Sequence, residues 1–136
     1  MKERYELIQL NKVNDNHRKY TKESFTNLPD NVPVYFGRDT YTIPSEQDSD
    51  YIVGEASNFK IDGQMVICDI NLFDKKIKEL KKAAAPLYCT STGVGKIHNS
   101  VLQDFSLKCI DLCSCSAFKD IRNKIVFKDK SSMEIE

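Results

Sequence analysis

Cys109-Ile110-Asp111-Leu112-Cys113-Ser114-Cys115 gathers thiols and a carboxylate within a few residues. In an extended strand Cys109, Asp111, Cys113 and Cys115 share one face, and both side-chain types bind zinc. The paired Cys-x-x-Cys knuckles of structural zinc sites are missing, however, and small thiols pack well in β cores. Core packing is therefore the expectation, with no metal and no cofactor. The five Cys are an odd number, which argues for reduced thiols rather than a disulfide framework. Thr92-Gly93-Val94-Gly95-Lys96 lacks the spacing of a phosphate loop, and no hydroxyl follows Lys96, so that chemistry is set aside. The hydroxyl-rich run Tyr88-Cys89-Thr90-Ser91-Thr92-Gly93-Val94-Gly95 raises nucleophilic catalysis. A serine needs a neighbouring base, and the chain offers only His17 and His98. A turn at Gly93 and Gly95 would bring His98 back toward the hydroxyls; otherwise these satisfy backbone groups. Glu46, Asp48, Asp50 and Glu55 are scattered around a polar loop and read as solvating rather than as an acid–base pair.

The elements that must position these groups follow from periodicity and punctuation. Tyr5 to Leu10 alternates and predicts a first strand. Thr21 can cap a short helix carrying Phe25 and Leu28, stopped by Pro29-Asp30-Asn31. Val32 to Phe36 predicts a strand, and Pro33, lacking an N–H, makes it an edge strand or places Pro33 at a strand start. Gly37 to Asp50 is polar and predicts a long mobile loop. Tyr51 to Phe59 and Gly63 to Leu72 predict a hairpin turning at Asp62-Gly63, with Val66, Cys68, Ile70 and Leu72 on one face. Asp74 is placed to cap a helix from Lys75 to Ala84 whose inward stripe is Phe73, Ile77 and Leu80, and Pro86 ends it. Leu87–Ser91, Ser100–Phe105, Ser106–Ala117 and Lys124–Lys128 predict further strands. The fold class expected is α+β, mainly antiparallel β, a small barrel with one or two peripheral helices. Residues 1–128 are expected to form a single β-rich domain and 129–136 a flexible tail.

In order and spacing, several short motifs resemble the prohead (capsid maturation) proteases of tailed bacteriophages, which share a fold with herpesvirus assemblins. They are Asn14-Asp15-Asn16-His17-Arg18-Lys19-Tyr20, Val32-Pro33-Val34, Val53-Gly54-Glu55-Ala56 and Ser91-Thr92-Gly93. The strand-like pattern of Leu107, Ile110, Leu112 and Ala117 fits the same comparison. The resemblance covers roughly Tyr5 to Phe118 and implies a prohead-protease-like barrel with Ser91 at the nucleophile position. It also implies a catalytic His just after the Val-Pro-Val strand. This chain has Gly37-Arg38-Asp39 there. No catalytic residues are therefore expected; an active protease would have to use Ser91 with His98.

Composition limits the partners. The 136 residues carry 20 Lys plus Arg and 20 Asp plus Glu, so no overall basic field points to nucleic acid. The basic run Lys75-Lys76-Ile77-Lys78-Glu79-Leu80-Lys81-Lys82 reads as the solvated face of an amphipathic helix. No apolar run reaches the roughly 20 residues of a membrane span, and the charged start of the chain is unlike a signal peptide, so synthesis in a host cytoplasm is expected. The resemblance then implies a non-catalytic structural protein of a tailed-phage virion, in the form of a capsid decoration or auxiliary protein. Its partners would be the major capsid protein or other virion proteins, with homo-oligomers allowed. Contacts are expected from the polar Thr40–Asp50 segment, with Tyr41 and Ile43 as apolar anchors and Arg38 beside it as a charged one. The alternatives are an active maturation serine protease and a small phage-encoded host-interaction protein or inhibitor.

Overall fold

A computed structural model describes residues 2–13, 18–25, 27–38, 43–82, 88–113 and 126–127. The strands are β1 (Lys2–Gln9), β2 (Asn31–Phe36), β3 (Ile52–Asp62), β4 (Met65–Leu72), β5 (Tyr88–His98), β6 (Val101–Cys113) and β7 (Val126–Phe127). One α-helix, α1 (Lys75–Lys82), and two 3₁₀ turns, Lys22–Ser24 and Glu46–Tyr51, complete the described elements. The expected helix after Thr21 is thus only a single 3₁₀ turn.

The strands form one sheet in the order β1-β4-β3-β2-β6-β5-β7. It is antiparallel except for β2 with β6 and β5 with β7. The sheet curls until β1 lies within 8 Å, Cα to Cα, of β5 and β7. Among the described residues no ladder joins those edges, so the expected barrel is open rather than closed. No helix among the described residues is long and apolar enough to cross a membrane.

The concave side holds the core. Leu7, Ile8, Val34, Val66, Ile70, Leu102, Phe105 and Ile110 are buried there in one cluster. Cys68 and Cys89 join them as small buried side chains, whereas Cys109, expected to pack in the core, is buried outside this cluster, because strand alternation turns it to the other face of β6. Tyr20, the end of the Asn14–Tyr20 motif, packs edge-on to Phe105 at 5.1 Å between ring centroids. Lys19 sews that segment to the start of β6: its N–H donates to the Ser100 carbonyl at 2.8 Å, and its carbonyl accepts from Leu102 at 3.0 Å.

Several expectations shift in register. β3 runs through Asp62, and the hairpin turns at Gly63-Gln64, with Gly63 at φ +62° supplying the positive angle. β2 is an interior strand, not an edge. Pro33 is its third residue, ahead of Val34 where pairing with β6 begins, so the missing N–H falls outside that ladder. Asp74 does cap α1, accepting from the Ile77 N–H at 3.1 Å, and Ile77 is buried in the core. Phe73, assigned to the inward stripe, is 54 % exposed. It precedes the helix and is held by its own N–H on the Val53 carbonyl at 3.0 Å, which turns it out of the core.

Candidate functional site

β2 ends at Phe36, and Gly37, at φ +94°, reverses the chain so that Arg38 folds back over the Tyr35 ring, 5.0 Å from its centroid. Tyr35 stands opposite Asp111 in the parallel β2–β6 ladder, and Thr92 opposite Cys109 in the β5–β6 ladder. Strand alternation puts Cys109 and Asp111 on one face of β6, away from Ile110 and Leu112, which line the core. The polar groups therefore converge on the convex face of the sheet. The 3₁₀ turn Glu46–Tyr51 lies over them: the Tyr51 ring is 3.6 Å from where a Gly37 Cβ would sit.

The pairing at this point is tight. Arg38 Nε donates to Asp111 Oδ1 at 2.8 Å and Nη2 to Oδ2 at 2.9 Å, a two-point clamp. Nη2 also reaches Cys109 Sγ at 3.2 Å, and Thr92 Oγ1 donates to Asp111 Oδ2 at 3.3 Å. Asp48 Oδ2, from the covering turn, stands 3.7 Å from Arg38 Nη1. Arg38 is 5 % exposed and Asp111 is fully buried. Burial opposes the Arg38 charge, but the hydrogen bonds and attraction of Asp111 outweigh it and hold the guanidinium above its ordinary value. For Asp111, burial outweighs the support of Arg38, Thr92 and Cys109, so its carboxyl sits above its ordinary range. Burial likewise pushes the Cys109 thiol up to about 12, so it is neither a thiolate nor a ready nucleophile at neutral pH.

This cluster can lock but not react. An Arg cannot give up its proton to act as a base, and the Asp111 oxygens are already engaged. Nor does it suit a metal: the guanidinium occupies the carboxylate and adds a repelling charge. Among the described residues no group of His, Cys, Asp and Glu has a metal-holding arrangement. The Cys113 side chain and Cys115, the other members of the proposed ligand face, lie outside the described residues.

The residues singled out from sequence are dispersed. Ser91 faces the core, directly opposite Ile110 in the ladder, and is fully buried; among the described residues its Oγ has no hydrogen-bond partner. His98 is exposed at the far end of the same strand, opposite Val101. Seven residues of extended strand hold them roughly 20 Å apart. The turn imagined at Gly93 and Gly95 is absent, because both glycines lie within β5, under Phe105. The Ser91–His98 pair does not form. Arg38, expected as an exposed anchor, is buried in the clamp instead. Ile43 is 37 % exposed, while Tyr41, Asp39 and His17 lie outside the described residues.

Sequence reasoning missed the Arg38–Asp111 pairing, whose partners are 73 positions apart. The alternation of Cys109 and Asp111 announced a shared face but not the cation that fills it. It also missed an open depression of about 410 Å³ on the convex side of β2, β3 and β4, walled by Pro33, Ile52 and Phe73. No protein-family model, curated protein or solved structure matches the chain.

Proposed function

We propose that this chain is a non-catalytic structural protein of a tailed-phage virion, a capsid decoration or auxiliary protein on a prohead-protease-like scaffold. One observation carries the non-catalytic half. Where the resembled proteases place their His, after the Val-Pro-Val strand, the chain has Arg38, buried and clamped two-point to Asp111. A guanidinium there is a structural cation and leaves no base. The fully buried Ser91 hydroxyl, facing the core, supports the same conclusion. The virion half rests on the collinear motif order. A protein repeated over a symmetric shell gains strength from many weak contacts rather than from one deep pocket.

The two halves are tested separately. A fluorophosphonate probe at neutral pH is expected to leave the native chain unlabelled; stoichiometric labelling at Ser91 would overturn the non-catalytic reading. The purified chain is expected to co-sediment with assembled, undecorated phage shells. Failure to bind shells at any concentration would remove the virion reading while leaving the first result standing.

A further inference from the structure

We propose that the chain forms an isologous dimer, with a second copy seated on the end of the sheet where Ile52 and Phe73 are exposed. The topology assembles this patch. β3 begins and β4 ends there, Gly54 standing opposite Leu72, and the Phe73 and Asp74 N–H groups both donate to the Val53 carbonyl, at 3.0 and 3.2 Å. Phe73 at 54 % and Ile52 at 37 % exposure therefore stand beside one another on the rim, over the depression that Pro33 also walls. The two side chains form a small contiguous apolar centre rather than two scattered ones.

The charges around the patch identify the partner. The chain entering Ile52 is acidic, with exposed Glu46 and Asp50 in the 3₁₀ turn. The chain leaving Phe73 is basic, with exposed Lys75, Lys76 and Lys78 in α1. Along the chain, acidic residues thus precede the apolar centre at Ile52 and basic residues follow it at Phe73. A two-fold axis through the apolar centre reverses that order in the second copy. It lays the acidic turn of each copy against the basic helix of the other, and Phe73 and Ile52 of each against those of its mate. A polyanion such as nucleic acid would satisfy the lysines but meet Glu46 and Asp50 with the same sign. Another copy of this chain satisfies both ends. The apolar centre is small beside a standard interface, so the dimer is reversible and concentration-dependent. It forms whether or not the chain belongs to a virion.

Sedimentation velocity of the full chain across a concentration series tests this. A monomer–dimer equilibrium is expected, weakened by added salt and by about tenfold or more in Phe73→Ser. Two charge variants give the sharper readout. An acidic form, Lys75→Glu with Lys76→Glu and Lys78→Glu, and a basic form, Glu46→Lys with Asp50→Lys, should each stay monomeric alone. Mixed, they should form a heterodimer. All of these side chains are exposed, and thermal melts followed by circular dichroism check that each variant folds. A wild type that stays monomeric throughout overturns the proposal. So does a dimer indifferent to Phe73→Ser and to both charge variants, or a mixture of the two forms that does not pair.

Discussion

At the scale of single residues, Arg38 and Asp111 decide how the convex face behaves. A buried ion pair contributes little net stability over an apolar replacement, because both charges lose water, yet removing one partner strands the other. Asp111→Asn should therefore destabilise the chain by about 3–5 kcal/mol, since Arg38 keeps its charge in a site where it is only 5 % exposed. The double variant Arg38→Met, Asp111→Leu removes both charges and should recover most of that loss. Urea titrations of the single and double variants measure this; a double variant at least as unstable as Asp111→Asn would contradict the clamp. Little of it was legible beforehand. Asp111 was visible as one of several groups on a strand face, and Arg38 as a charge in a polar loop. Local pattern cannot connect residues that meet only through a parallel ladder.

At the scale of elements, glycine misled in one place and informed in another. Gly93 and Gly95 read as a turn, but they continue β5, where Phe105 and the β6 backbone leave no room for a Cβ at Gly93 and little at Gly95. The real reversal is at Asn99-Ser100, where φ values of +50° and +65° make a tight hairpin without glycine. Ser100–Phe105 and Ser106–Ala117, expected as separate strands, are accordingly one long β6 as far as Cys113. The β3–β4 hairpin, by contrast, was plain from its alternation, although its turn, Gly63-Gln64, falls one residue after the expected Asp62-Gly63 pair. Gly54, within the Val-Gly-x-Ala motif, is required by that hairpin: a Cβ there would lie 2.6 Å from the Asn71 carbonyl oxygen and 3.1 Å from Leu72 Cδ2. Since backbone must shift to admit it, Gly54→Ala should cost about 1–3 kcal/mol, seen as a lowered thermal midpoint. Gly63→Asn is a fair comparison, because Gly63 has open space around it and asparagine tolerates its positive φ. Equal losses in the two variants would contradict the close β3–β4 approach.

At the scale of the whole molecule, one short ladder among the described residues joins two antiparallel units, and this is their seam. β1, β4, β3 and β2 form the first, β5 and β6 the second, and the parallel pairing of Val34–Phe36 with Ile110–Leu112 joins them. Composition and alternation made the mainly antiparallel β character legible; the parallel seam was not, because its strands are distant in sequence and neither announces its neighbour. That seam carries the Arg38–Asp111 clamp on its convex side and Val34, Ile110 and Leu112 on its core side. Separating the two units would expose both at once, so the seam should open only when the whole fold opens. Native-state hydrogen exchange should then find the slowest amides in the middle of β2 and β6. Faster exchange is expected in β1, a sheet edge, and at the Asn99-Ser100 hairpin tip. Asp111→Asn should speed exchange along the seam by the same free energy that it removes from global stability, because no smaller opening frees those amides. If the seam amides exchanged faster than those of β1, or kept wild-type protection in a destabilised Asp111→Asn, the two units would be opening independently of the clamp.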